Sequence, residues 1–179
     1  MQQQCQSAFT KTHQAMGVGD GRSTRLLGWD RPPPGWVALN TDGSVVLSSA
    51  SAMAGGILRD SNDRFLRALS ANLGDRSITH AELARIYHNL ILAWEMGARK
   101  VRLQTDSMTA IAIIQTNRDN HPHRTMAASI RQLLERDWEV TLEHVFRESN
   151  YVADHMATVG HSLSFGVHVV ENPGPNLPY

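Results

Sequence analysis

The stretch Trp36-Val-Ala-Leu-Asn-Thr-Asp-Gly-Ser44 decides the fold of this 179-residue chain. Its run of apolar residues predicts a strand over residues 36–43. An acidic residue, Asp42, lies inside that strand, where burial of a charge is costly unless something compensates for it. Asp42 is therefore the first candidate for a functional residue.

Three further acids occupy comparably unusual positions. Glu82 lies at the start of a long segment with apolar residues at helical spacing, and Asp106 closes a strand-like run that begins at Val101. Asp154 is surrounded by small and apolar residues between Tyr151 and Ala157. A fold that brings these four acids together makes an all-oxygen divalent metal site, and such a site indicates phosphate chemistry.

The electrostatics of such a cluster require cations. Two carboxylates about 4 Å apart repel by roughly 4 kcal/mol at an effective dielectric constant of about 20. Divalent ions reverse that cost, and a pair of ions about 3.5–4 Å apart can activate a water and stabilise a leaving oxygen. The four acids are therefore predicted to act as a set.

Each acid also has an ordinary structural explanation. The Asp42-Gly43 dipeptide is common in hairpin turns. Glu82 completes a Thr-x-x-Glu capping box with Thr79 at a helix start, and Asp106 is a plausible N-cap of the next helix. Asp154 fits the surface of a helix. These alternatives stay open at the level of sequence.

The remaining pattern predicts an α/β domain with a mixed five-stranded sheet and helices on both faces. The predicted strands are 36–43, 53–60, 64–72, 100–105 and 138–146, and the predicted helices are 79–96, 107–116, 124–136 and 149–160. Three antiparallel strands thus precede alternating helices and strands. The turn Asp60-Ser-Asn-Asp63 is predicted to join the second and third strands.

The ends of the chain differ in composition from the middle. Residues 1–35 end in Pro32-Pro33-Pro34, and residues 166–179 are rich in Pro and Gly. Both segments are predicted to be flexible tails around a folded domain of residues 36–165.

Composition restricts the possible functions. Lys and Arg total 17 and Asp and Glu total 17, so there is no basic surplus for indiscriminate nucleic-acid binding. Cys5 is the single cysteine, and no apolar run reaches the ~20 residues of a membrane helix. We expect an intracellular protein of the nucleus or cytoplasm without a membrane partner, with organelle import as the alternative.

Five motifs, in order along residues 36–160, resemble ribonuclease H, and most closely the plant ribonuclease-H-like domains related to retroelement reverse transcriptases. They are Leu39-Asn-Thr-Asp-Gly-Ser44, Ala54-Gly-Gly-Ile-Leu-Arg-Asp60, His80-Ala-Glu-Leu83, Leu103-Gln-Thr-Asp-Ser107 and His144-Val-Phe-Arg-Glu-Ser-Asn150, the last leading into Val152-Ala-Asp154.

The resemblance implies a catalytic and metal-binding set of Asp42, Glu82, Asp106 and Asp154. It implies two Mg²⁺ ions, with Mn²⁺ as a substitute, and hydrolysis of the RNA strand of an RNA–DNA hybrid by a monomer. Asp42 is the expected bridge between the ions. The implied substrate-binding residues are Gly43, Ser44, Thr79, Ser107, Arg147 and Asn150.

The chain departs from the family pattern at positions that touch substrate. Thr79 and Met108 stand where hybrid-cutting members often carry amides that read sugars and minor-groove edges. The path from Val145 to Asn150 is too short for a loop with a mobile histidine, so His144 is predicted to lie on a strand. A catalytically weak or inactive nucleic-acid-binding module derived from a retroelement is therefore the second hypothesis. A scaffold domain is the third.

Overall fold

The computed structural model describes residues 31–46, 51–116, 120–145 and 163–172, without the side chains of 42–46 and 51. The strands are β1 Val37–Val46, β2 Ser51–Arg59, β3 Phe65–Asp75, β4 Lys100–Thr105, β5 Glu139–His144 and β6 Gly166–Val170. The helices are α1 Ile78–Glu95, α2 Met108–Gln115 and α3 Arg124–Leu134. None of these helices is both long and apolar enough to cross a membrane.

The six strands form one mixed sheet in the order β5-β4-β1-β2-β3-β6. Strands β1, β2 and β3 are antiparallel neighbours, whereas β4 runs parallel to both β1 and β5. The predicted class, with three antiparallel strands followed by alternating helices and strands, is confirmed. Strand β1 lies between its parallel and antiparallel neighbours, which is the type of switch point where α/β sheets gather ligands.

The described residues form six strands, one more than the five predicted. Residues 166–170, which lie in the predicted C-terminal tail, form β6 and pair antiparallel with the edge of β3. The side chain of Val170 packs against Ile57 and Ala68, so pairing is accompanied by apolar burial. The valines of this segment favour a strand, but the Pro and Gly residues that follow them led to the prediction of a tail. The predicted helix 149–160 lies outside the described residues.

The main core lies between one face of the sheet and the helices. Leu39 of β1 and Leu58 of β2 are partners in register, and both are fully buried against residues of α1 that include Leu83. Helices α2 and α3 contribute to the same apolar cluster. Burial of each such leucine contributes roughly 1.5–3 kcal/mol. This packing fixes α1 across β1 and β2.

Helix α1 begins two residues earlier than the capping box predicted. Ser77 is extended and is the N-cap, because its hydroxyl accepts a hydrogen bond from the His80 N–H at 3.2 Å. Thr79 lies inside the first turn, so the Thr79 capping box is wrong and Glu82 lies beyond that turn. The predicted stop at Gly97 is confirmed by its left-handed backbone, with φ of 80°.

The helix packs tightly against the sheet at Gly56. A Cβ atom at Gly56 would overlap the side chain of Asn89, which is fully buried. The Asn89 amide donates to the Arg85 carbonyl at 2.9 Å and to the Gly55 carbonyl at 3.4 Å. Asn89 therefore joins α1 to β2 at a point where only a hydrogen atom fits.

Gly56→Ala is expected to destabilise the domain by about 1–3 kcal/mol, because the added methyl group overpacks the helix–sheet contact. Urea unfolding measures this cost. The same substitution in an Asn89→Ala background should cost clearly less, since the clashing amide is gone. An equal cost in both backgrounds would show that this contact is not tight.

Candidate metal centre

Strands β1 and β4 bring two of the predicted acids to neighbouring backbone positions. The last partners in their parallel register are Thr41 and Thr105, and Asp42 and Asp106 are the next residues of each chain segment. On its other side Asp42 is paired with Gly55 of β2. Asp42 is thus inside a continuous strand, and the hairpin-turn alternative for Asp42-Gly43 is wrong.

The carboxylate of Asp106 is held at the end of β4. Its Oδ1 accepts a charge-assisted hydrogen bond from Nη2 of Arg85 at 2.9 Å, and its side chain is 22% exposed. Ser107, not Asp106, is the N-cap of α2, because its hydroxyl accepts from the Ala110 N–H at 3.1 Å. The N-cap alternative for Asp106 is therefore wrong.

Glu82 reaches the same junction from α1. Its Oε2 accepts a hydrogen bond from the Ser107 hydroxyl at 2.6 Å. The Ser107 oxygen thus serves two partners, since it accepts from a helix N–H and donates to a carboxylate. Ser107, the residue that follows Asp106, therefore orients the carboxylate of Glu82.

Arg85 is a residue of this junction that sequence reasoning missed. Its side chain is only 2% exposed, and the Nη2 that binds Asp106 also donates to Oγ1 of Thr105 at 3.0 Å. Glu82, Arg85 and Asn89 follow one another at intervals of three and four residues, so they form a polar stripe on the helix. That stripe is the signal that could have revealed it.

A second polar row crosses β1, β4 and β5. The Asn40 amide donates to Oε1 of Gln104 at 2.8 Å, and the Gln104 amide donates to Oε2 of Glu143 at 3.3 Å. Arg102 completes the row with hydrogen bonds of 2.7–3.2 Å to both oxygens of Glu143. Asn40 and Gln104 lie two residues before Asp42 and Asp106, so the row fixes the register that places the acids.

His144 lies on β5, as predicted, but it is the last residue of a strand that was predicted to continue to residue 146, and it is exposed. Its Nε2 lies 3.2 Å from the backbone oxygen of Asp106. This contact ties the end of β5 to the end of β4 without occupying the carboxylate of Asp106.

Three histidines lie near the starts of α1 and α3. The ring centroids of His80 and His123 are 6.1 Å apart, and those of His121 and His123 are 5.5 Å apart. Desolvation, then repulsion from Arg76 and His123, lowers the pKa of His80, which favours its neutral form. Across the described ranges, no three His, Cys, Asp or Glu side chains are grouped closely enough to hold a metal ion.

The described acids nevertheless suit a hard cation. Glu82 and Asp106 offer carboxylate oxygens, the donors that Mg²⁺ and Mn²⁺ prefer, at adjacent ends of secondary structure. The side chain of Asp42 and all of Asp154 lie outside the described residues, so the complete quartet stays a prediction. Its described half fits a metal, although Arg85 already holds one oxygen of Asp106.

The structure places only some of the predicted substrate-binding residues. Gly43 and Ser44 continue β1 beyond Asp42, and Thr79 lies in the first turn of α1. Met108 begins α2 with 60% of its surface exposed. Arg147 and Asn150 lie outside the described residues.

Residues 40–160, more than half of the chain, match the reverse transcriptase-like family. The chain belongs to this family. A provisionally named ribonuclease H protein of Arabidopsis thaliana is 37% identical over 154 residues, which are 86% of this chain and 25% of that protein. The chain therefore spans about a quarter of the length of this relative.

Solved structures share the fold of this reverse transcriptase-like domain. Ribonuclease H1 of the archaeon Halobacterium salinarum superposes with a TM-score of 0.64 at 21% identity, over 70% of this chain and 97% of its own. LC11 ribonuclease H1, isolated from compost and crystallised with an RNA/DNA hybrid, gives a TM-score of 0.62 at 21% identity, over 69% and 94%. The domain thus has the ribonuclease H fold.

Ser107→Ala is expected to destabilise the domain by about 2 kcal/mol, because it removes both a helix cap and a hydrogen bond to a carboxylate. Ser77→Ala is the matched control, since Ser77 caps α1 without contacting a described acid. It should cost about 1 kcal/mol. Urea unfolding compares the two, and equal losses would mean that the bond to Glu82 adds nothing.

Proposed function

We propose that this domain is a metal-dependent endonuclease that hydrolyses the RNA strand of RNA–DNA hybrids. The observation that carries the proposal is that Glu82 is hydrogen-bonded to Ser107, the residue next to Asp106, while the β1–β4 register places Asp42 beside Asp106. For each of these three acids, the structure rules out the alternative role that the sequence allowed, namely a hairpin turn, a capping box or an N-cap. The ribonuclease H fold, and the hybrid bound by LC11 ribonuclease H1, support this choice of substrate.

The proposed ligands of the metal are Asp42, Glu82, Asp106 and Asp154. Two divalent ions, when bound, would supply an activated water and stabilise the departing 3′ oxygen. Ser107 fixes the orientation of Glu82, since its hydroxyl holds one carboxylate oxygen and leaves the other available. The β1–β4 pairing places the backbone of Asp42, another proposed ligand, next to that of Asp106.

The substrate surface is proposed to surround these acids. Gly43 and Ser44 extend β1 past Asp42, Thr79 lies one helical turn before Glu82, and Ser107 is next to Asp106. We also include Arg147 and Asn150, which match the family motif. A hybrid would meet no basic surplus, because the formal net charge is zero. Local contacts must therefore provide much of the affinity.

A catalytically weak nucleic-acid-binding module is the second candidate. Two observations favour it. Arg85 is ion-paired with a proposed metal ligand, and Met108 is exposed where it could face the substrate. A thioether cannot donate a hydrogen bond to a 2′-hydroxyl. This candidate predicts hybrid binding without turnover.

Cleavage of a labelled RNA–DNA hybrid by the purified protein tests the proposal. With Mg²⁺ or Mn²⁺ we expect cutting of the RNA strand, which stops when the metal is chelated. Asp42→Asn and Asp106→Asn should each reduce the rate by about 100-fold or more, because each removes a charged metal ligand.

Asp137→Asn is the control, because Asp137 is exposed in the turn before β5. It should keep the full rate. Absence of cutting by folded wild-type protein in both metals would reject the nuclease. Tight hybrid binding in that case would favour the binding module instead.

A further inference from the structure

The ion pair between Arg85 and Asp106 is unlike the other salt bridges of the described residues. The Arg85 side chain is 2% exposed, whereas the next most buried cation, that of Arg59, is 10% exposed and lies 3.5 Å from its partner. Arg85 approaches Asp106 to 2.9 Å. It comes from the helix that carries Glu82 and meets the strand end that carries Asp106. The pair is therefore part of the proposed metal centre.

The position of Arg85 is fixed by its surroundings. Its Nη2 donates to Thr105 as well as to Asp106, so the guanidinium is held to two consecutive residues of one strand end. The Asn89 amide donates to the Arg85 carbonyl and ties this part of α1 to β2. Arginine keeps its charge throughout the physiological pH range. A permanent positive charge is thus held at hydrogen-bond distance from a predicted ligand.

A divalent ion bound by Asp106 would lie close to this charge. The repulsion is strong because the guanidinium is buried, and charges removed from water are only weakly screened. The ion would also compete for the carboxylate that Arg85 already binds. By contrast, Glu82 is held by the hydroxyl of Ser107, which is neutral and does not repel a cation.

We propose that Arg85 is a built-in counter-ion of this site, which stabilises the metal-free domain and weakens the binding of divalent ions at Asp106. This inference rests on the proposed function, because it concerns the same carboxylates. In this proposal, a low metal affinity results from the charge of Arg85 and not from a missing acidic ligand. A domain of this kind folds without metal and takes up ions only at high concentration or with the phosphates of a substrate.

Titration of Mn²⁺ into the full chain, without nucleic acid, tests the counter-ion. In Arg85→Met the side chain keeps much of its length and apolar contact but loses its charge. We expect the dissociation constant for Mn²⁺ to fall by about tenfold or more in this variant, because the repulsion is removed. We also expect a lower melting temperature in the metal-free state and a larger rise on addition of Mn²⁺ than in wild type.

Two controls separate charge removal at the site from general loosening. Arg59→Met removes another buried, ion-paired arginine, at the end of β2, and should leave the Mn²⁺ affinity unchanged. Arg85→Met combined with Asp106→Asn should lose the gain in affinity, since the freed ligand is gone. An unchanged or weaker Mn²⁺ affinity in Arg85→Met would overturn the proposal.

A second neutral variant, Arg85→Gln, is measured in case Arg85→Met does not fold. If either neutral variant folds only when Mn²⁺ is present, the metal has replaced the missing charge and the proposal stands. If both stay unfolded at every metal concentration, Arg85 is purely structural and the proposal fails.

The outcome is separate from that of the nuclease. Tight Mn²⁺ binding by Arg85→Met without hybrid cleavage by either protein would keep the counter-ion and reject the nuclease. Cleavage by wild type, together with an Mn²⁺ affinity that is equal in wild type and Arg85→Met, would keep the nuclease and reject the counter-ion.

Discussion

The parallel pairing of β1 with β4 is the constraint on which the site depends. Its register ends at Thr41 and Thr105, so each strand delivers an acid at the next position. A shift of one residue would turn every side chain of a strand to the opposite face of the sheet. The row from Asn40 through Gln104 to Glu143 opposes such a shift, because buried amides that lose their partners are costly. The placement of the acids is therefore built into the packing of the sheet.

The charge balance at the site shows how a protein can assemble acids before a metal arrives. Clustered carboxylates repel one another, and their repulsion opposes folding. Ser107 offsets part of this cost at Glu82 with a neutral hydrogen bond, and Arg85 offsets it at Asp106 with a full charge. In the proposed counter-ion role, the interaction with Arg85 is the stronger of the two for folding, but it opposes metal binding at the same oxygen. The proposal therefore implies that stability and metal affinity oppose each other through the Asp106 carboxylate.

Much of the fold could be predicted because its signals are local. The turn that begins at Asp60 is such a case, since the Asp60 carboxylate accepts from the backbone N–H groups of Asn62 and Arg64. The start of α1 was misplaced because Thr79 and Glu82 imitate a cap, whereas the hydroxyl of Ser77 makes the bond. Strand β6 was missed because its pairing with β3 is distant in sequence. Local composition does not encode which edge a short strand will join.

The site was only partly predictable for the same reason. The four acids stood out by residue type and position, but Arg85 gained its role from contact with a strand 20 residues away. Sequence spacing places Arg85 near Glu82 on α1 and does not show that its charge points at Asp106. The shared role of Ser107, as cap and as donor, likewise depends on how α1 packs over the sheet.

The central claim is that four acids, distant along the chain, share bound divalent ions. Anomalous diffraction from crystals grown with a high concentration of Mn²⁺ and an RNA–DNA hybrid tests it most directly. The account predicts manganese peaks in contact with carboxylate oxygens of Asp42, Glu82, Asp106 and Asp154, at the end of β4. Manganese bound elsewhere, or an ordered structure in which any of these carboxylates lies remote from the other three, would contradict it.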